Sequence, residues 1–215
     1  MHLDRLGMRR LVVIIIMLYV NILAHGQEQI KFCLTDGELI GRKWTAANAV
    51  YVESQYSDSV CSVKVFTSED KTLRRTLRNK ALYVMIHDTL YINCSRAIKD
   101  EMRIYATVTK LTNDKMFFVI PSDQLNNNAS VVAAGVMGGL IGGAIAVAIA
   151  GTKKGQAGVS CLWDMATETV TILSPKNMKS ILKVDKELFR QYKEENQSRQ
   201  ASPSVILEYL HLLYS

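Results

Sequence analysis

Apolar and polar side chains alternate along short runs through much of the chain up to residue 120. Residues 60–66 are a clear case, since their apolar positions recur every second residue, the period of a half-buried strand. Elsewhere, two apolar runs flank a short polar turn, which is the pattern of a β-hairpin. Three such hairpins are predicted: 81–87 with 90–94, 103–111 with 115–120, and 159–164 with 169–173.

The apolar period becomes helical after residue 173. Ser174 and Ser202 each precede a proline, as a capping residue does when proline occupies the first helical position. Asp185 starts a further helix between them. Upstream, Thr35 and Glu38 match a capping box that opens a short helix toward residue 44, and residues 71–80 form a helix after Asp70. The pattern predicts an α+β fold of antiparallel β-hairpins with C-terminal helices.

One segment, residues 131–151, is apolar throughout and carries no charge. Its 21 residues would form a helix of about 31 Å, close to the hydrocarbon thickness of a bilayer. Glycines spaced four apart give it a smooth face, a glycine zipper, on which two backbones can approach closely in lipid. These glycines are Gly135, Gly138, Gly139, Gly142 and Gly143. We predict a glycine-rich hydrophobic helix in the membrane; the alternative is burial of the segment inside a soluble fold.

The amino terminus has the pattern of a secretory signal peptide. Arg9 and Arg10 precede an apolar run of about 13 residues, and Ala24 and Gly26 supply the small residues of a cleavage site. The predicted organisation is a signal peptide (1–26), the N-terminal part of an α+β domain (27–129), the glycine-rich segment (130–152), and a hairpin with C-terminal helices (153–215). The last part completes the same domain, which conflicts with a segment that crosses the bilayer once.

Charge gives little indication of a partner. The 26 basic and 20 acidic residues give a net charge of +6. Removing the leader leaves 23 and 19, a net of about +4, which does not imply nucleic acid. The densest basic cluster is Lys71, Arg74, Arg75, Arg78 and Lys80. It is either a solvated helix face or a contact for anionic lipid or glycan.

The four cysteines are Cys33, Cys61, Cys94 and Cys161, and all fall in predicted strands. After export they would either form disulfides, with three possible connectivities, or remain buried as small apolar side chains. Their spacing does not match a zinc site. No catalytic, cofactor-binding or metal-binding residue is predicted. A cysteine nucleophile assisted by His87 or His211 has no support in spacing.

Several short motifs carry a resemblance to a known family. The residues LTD (34–36), LYINC (90–94), FFV (117–119), the run from Gly138-Gly139 to Ile149, and LWD (162–164) resemble an uncharacterised family of exported bacteroidete proteins. The resemblance implies an exported location and no assigned activity. In such bacteria, Asp58-Ser59-Val60 and Asp88-Thr89-Leu90 match the O-glycan acceptor pattern, which makes Ser59 and Thr89 candidate acceptors.

These patterns predict a non-enzymatic cell-envelope protein, exported to the periplasm and associated with the membrane, without a cofactor. The expected partners are membrane lipid and a second copy bound through the glycine face; protein partners are not specified. The alternative is a soluble periplasmic module that binds a ligand or protein. A cysteine-dependent enzyme is a third hypothesis.

Overall fold

The computed structural model describes residues 28–57, 60–98, 104–121 and 158–215. Within them lie nine strands: β1 (Glu28–Cys33), β2 (Thr45–Ser57), β3 (Val60–Thr67), β4 (Tyr83–Ile86), β5 (Thr89–Asn93), β6 (Tyr105–Lys110), β7 (Lys115–Pro121), β8 (Gly158–Asp164) and β9 (Thr169–Ile172). The helices are α1 (Asp36–Ile40), α2 (Lys71–Asn79), α3 (Cys94–Ile98), α4 (Pro175–Ile181), a 3-10 turn (Leu182–Val184), α5 (Lys186–Glu194), α6 (Gln197–Gln200) and α7 (Pro203–Tyr214). The predicted α+β class with antiparallel hairpins is confirmed.

The sheet closes on itself through its first six strands. The strand order is β3-β2-β1-β4-β5-β6-β7-β8-β9, and β3 also pairs with β6. At the closure, Ser62 and Val63 of β3 lie opposite Ala106 and Tyr105 of β6. The second half of β6 pairs instead with β7. One edge of β6 is thus shared between the closed ring and the β7–β9 extension.

Three hydrophobic clusters hold these layers together. The first is on one face of the ring, where Ile30 and Phe32 alternate with outward residues and the apolar side of α2 packs through Leu73 and Leu77. The second joins the opposite face of the ring to β7–β9. The third packs α4–α7 on the remaining face of β7 and β8. Because β7 and β8 are covered on both faces, their sequences are nearly continuous apolar runs.

Two local predictions were wrong. The helix predicted toward residue 44 ends at Ile40, and β2 begins at Thr45. Alanines and asparagine at 46–48 have low strand propensity, but pairing with β1 holds them extended. Cys94 begins a helix and does not lie in a strand. The cause is the Asn93 side chain, whose Oδ1 accepts from the Arg96 amide at 3.4 Å and turns the chain.

Residues 122–157 join two neighbouring strands of the sheet. Pro121, the last residue of β7, pairs with Gly158, the first residue of β8. A Cβ at position 158 would overlap the Ile120 carbonyl, so the strands approach this closely only with glycine there. The predicted glycine-rich helix, the signal peptide and Ser59 lie outside the described residues. Within the described ranges, no helix combines the length and apolarity needed to cross a membrane.

Candidate functional site

The exposed side of α2 carries a row of cations. At 3.6 residues per turn, Lys71, Arg74, Arg75 and Arg78 fall within about 100° of arc, and Leu73 and Leu77 face the opposite side. Arg74 is half-buried and the other three are exposed. Two exposed cations lie nearby, Lys80 just after the helix and Arg96 on α3. We call these six residues the α2 basic surface.

The described carboxylates do not pair with the α2 basic surface. In the described ranges, no ion pair involves any of its six side chains. Lys71 and Arg78 each stand three or four residues from both Arg74 and Arg75, and like charges at that spacing cost about 0.2–0.5 kcal/mol per pair. Asp70 precedes the helix, but its carboxylate caps the amides of Thr72 and Leu73 at 2.7 and 3.2 Å.

Two buried side chains fix the C-terminal end of α2 on the sheet. Asn93 is 1% exposed, and its Nδ2 donates to the Ala81 carbonyl at 2.9 Å and to the Arg78 carbonyl at 3.5 Å. The Tyr105 hydroxyl donates to the Leu77 carbonyl at 2.5 Å. Burial raises the pKa of Tyr105, so its hydroxyl stays protonated and able to donate. This Asn93 clamp sets the positions of Arg78 and Arg96 relative to each other.

A second buried polar group joins the two parts of the sheet. Asp36, at the start of α1, is 7% exposed, and its Oδ1 accepts from the Tyr83 hydroxyl and from Trp163 Nε1 at 3.0 Å. Burial, followed by the Asp36 hydrogen bond, raises the pKa of Tyr83. Losing the carboxylate would leave two buried donors without an acceptor, each costing about 1–3 kcal/mol. This Asp36 junction is a structural link between the ring and β8.

The described thiols are protonated at neutral pH. Cys33, Cys94 and Cys161 are free and buried. Burial raises the pKa of Cys33 to about 11, with Glu38 adding to the shift, and raises that of Cys94 to about 12. Burial also raises the pKa of Cys161 well above its ordinary value. The thiolate is the nucleophilic form, so these environments suppress cysteine reactivity. The Cys61 side chain lies outside the described part.

The remaining predicted residues do not converge on a site. His87 occupies the β4–β5 turn with Asp88, both with positive φ, and His211 is exposed on α7. Thr89 is half-buried at the start of β5, and its modification stays a prediction. Over the ranges that can be described, no three metal-ligating side chains cluster. The Asn93 clamp and the Asp36 junction were missed, because each joins residues distant in sequence.

Comparison with known proteins gives a family without an activity. The sequence model described as "Family of unknown function (DUF6563)" matches residues 31–215. No curated protein and no solved structure matches the chain. The prediction of an uncharacterised family is confirmed at that level, and the bacteroidete source and the export remain predictions.

Proposed function

We propose that this chain, which belongs to the family of unknown function DUF6563, is a non-enzymatic, exported envelope protein. In this proposal it is a structural or interaction module tethered to the membrane by residues 131–151. The pairing of Pro121 with Gly158 is the observation that carries the proposal. Residues 122–157, which contain the apolar segment, connect two adjacent strands of one sheet, so the segment is inserted within a folded domain and is not a linker between two domains.

This pairing argues against a single crossing of the bilayer by the apolar segment. A single crossing would put β7 and β8 on opposite sides of the bilayer, but the two strands are hydrogen-bonded from Lys115–Asp164 to Pro121–Gly158. A segment that enters and leaves the lipid on one side keeps the sheet intact. Its 21 uncharged residues would be shielded from water there, and the glycine face would allow a second copy to pack closely.

The alternative is a soluble periplasmic module whose apolar segment packs on its own domain. The same observation allows it, since the strands on either side of residues 122–157 belong to one sheet. Export in either case is proposed from the leader at residues 1–26. For the described cysteines the cysteine-enzyme hypothesis is disfavoured, because Cys33, Cys94 and Cys161 are buried and burial raises their pKa.

Carbonate extraction of membranes from cells that express the full chain separates the two proposals. We expect the protein to stay in the membrane pellet and to need detergent for release. Recovery in the carbonate supernatant would favour the soluble module. In detergent, Gly139→Leu should shift the oligomer toward smaller species, whereas Val136→Leu, which replaces one apolar residue by another, should not. An oligomer size unchanged in Gly139→Leu contradicts association through the glycine face.

Thiol chemistry tests the enzyme hypothesis directly. We expect iodoacetamide at pH 7.5 to modify Cys33, Cys94 and Cys161 slowly in the folded protein and quickly in urea. Fast labelling of one of these thiols without denaturant would indicate a reactive cysteine and would contradict the non-enzymatic proposal.

A further inference from the structure

We infer that the α2 basic surface binds the anionic headgroups of a lipid bilayer, so that the domain lies with α2 against the membrane. The inference deepens the proposed function and rests on it, because that function brings the domain to a membrane. Lipid phosphates supply the charge that the described carboxylates do not: none of the six cations is in an ion pair with them.

The geometry favours a broad anionic surface over one small ligand. The cations from Lys71 to Arg78 extend along two turns of the exposed side of one helix. Lys80 and Arg96 widen the row beyond the helix, and the Asn93 clamp keeps that end rigid through bonds to Arg78 and Ala81. An extended row of exposed cations fits a plane of phosphates.

The position of α2 in the fold is compatible with the proposed membrane segment. Strand β7 runs antiparallel to β6, so its last residue, Pro121, lies toward the Tyr105 end of β6. Tyr105 is the residue whose hydroxyl binds the Leu77 carbonyl of α2. The chain therefore leaves β7 toward the end of β6 at which α2 is fixed. A polybasic surface and an apolar insertion on one domain are the two signals that stable membrane association requires.

A nucleic acid is the weaker match. Single strands are bound by cations combined with aromatic side chains on which bases stack. The α2 sequence KTLRRTLRN contains no aromatic residue. Binding of duplex DNA would depend on its phosphates alone, and the test below detects it by competition with vesicles.

The test is flotation of the purified full chain with vesicles of phosphatidylcholine alone or with 30% phosphatidylglycerol. Each cation near an anionic surface contributes about a five-fold gain in affinity. The variant Arg74→Gln/Arg75→Gln/Arg78→Gln should therefore bind anionic vesicles about a hundred-fold more weakly than the wild type. The matched control, Lys186→Gln/Arg190→Gln/Lys193→Gln, neutralises three cations of α5 and should change the affinity less than three-fold. Raising the salt from about 0.05 to 0.5 M should weaken wild-type binding.

Three results would overturn the inference. The first is that the α2 variant keeps its preference for anionic vesicles. The second is that the α5 control loses as much affinity as the α2 variant. The third is that duplex DNA displaces anionic vesicles from the wild type and that the α2 variant weakens DNA binding as much as vesicle binding. Should the triple variant fold poorly, Arg78→Gln/Lys80→Gln removes two exposed charges and should weaken binding about twenty-fold. Binding to vesicles of phosphatidylcholine alone tests the apolar segment separately, because these vesicles carry no net charge. If the wild type does not bind them but still prefers anionic vesicles, the proposed anchor is contradicted and the role of α2 is supported.

Discussion

Helices α2 and α5 are nearly matched in construction and differ in their charges. Each has nine residues, each is capped by an aspartate that accepts from two amides, and each packs its apolar side inward. On α5, Arg190 pairs with Glu187 at 2.7 Å and with Glu194 at 3.7 Å. On α2, the corresponding face holds only cations. An exposed helix of this length can thus pair its cations with carboxylates, as α5 does, and the unpaired cations of α2 are not a consequence of helix length or exposure.

The comparison separates what holds a helix in place from what its surface does. Both helices are held by apolar contacts, caps and a buried amide clamp, Asn93 for α2 and Gln200 for α5. Only the exposed faces differ. Changes to the caps and clamps should therefore affect the stability of both helices alike, and changes to the charges should affect it in opposite directions.

The largest effect is expected from the apolar side of α2. Leu77 is fully buried, so Leu77→Ala should lower the free energy of unfolding by about 2–5 kcal/mol. Leu188 of α5 is half-buried, and Leu188→Ala should cost about half as much. Urea denaturation followed by far-UV circular dichroism measures both. A smaller loss for Leu77 than for Leu188 would mean that α2 is not held by its apolar side.

The two clamps should be equivalent in stability and different in membrane binding. Asn93→Ala and Gln200→Ala each leave buried carbonyls without a donor and should cost about 1–3 kcal/mol. Only Asn93→Ala releases the end of α2, so it alone should weaken the preference for anionic vesicles. If Gln200→Ala weakens that preference equally, the effect reflects general destabilisation and not the positions of Arg78 and Arg96.

The sequence is informative about these helices individually but not about their surroundings. Alternation and turn residues were sufficient to predict the 115–120 strand and the hairpin around His87. The basic cluster of α2 was also visible. Its lack of ion pairs within the described ranges was not, because that depends on which of the chain's 20 acidic residues fold near it. Closure of the ring by Ser62 and Ala106 and the Asp36–Trp163 bond are likewise set by packing between distant segments.

Removing the helix caps should lower the free energy of unfolding by less than removing the clamps, and by the same amount for both helices. Asp70→Ala and Asp185→Ala each remove an acceptor for two helix amides and should each cost about 1 kcal/mol. Asp70→Ala also removes a negative charge beside the α2 basic surface, so anionic vesicles should bind up to about five-fold more tightly. Asp185→Ala should leave vesicle affinity unchanged. Weaker vesicle binding by Asp70→Ala would contradict an electrostatic contact at α2.

Charge reversal should give the smallest change in stability, but the sign of that change should differ between the two helices. Arg75→Glu replaces two like-charge neighbours, Lys71 and Arg78, by two opposite-charge pairs and should raise Tm by about 1–3 °C. Arg190→Glu does the reverse beside Glu187 and Glu194 and should lower Tm. Calorimetry at pH 7 and low salt measures both changes.

Acidification supplies the control for this last comparison. Hydrogen bonds from Arg190 and Gln191 lower the pKa of Glu187 below its ordinary 4.5. A carboxyl whose pKa is lowered by folding stabilises the protein above its unfolded pKa and loses that contribution as the pH falls through the folded value. The Tm differences of both variants should therefore shrink below about pH 4. If Arg75→Glu lowers Tm at pH 7, the cations of α2 are already compensated within the protein, and no external anion is needed to explain them.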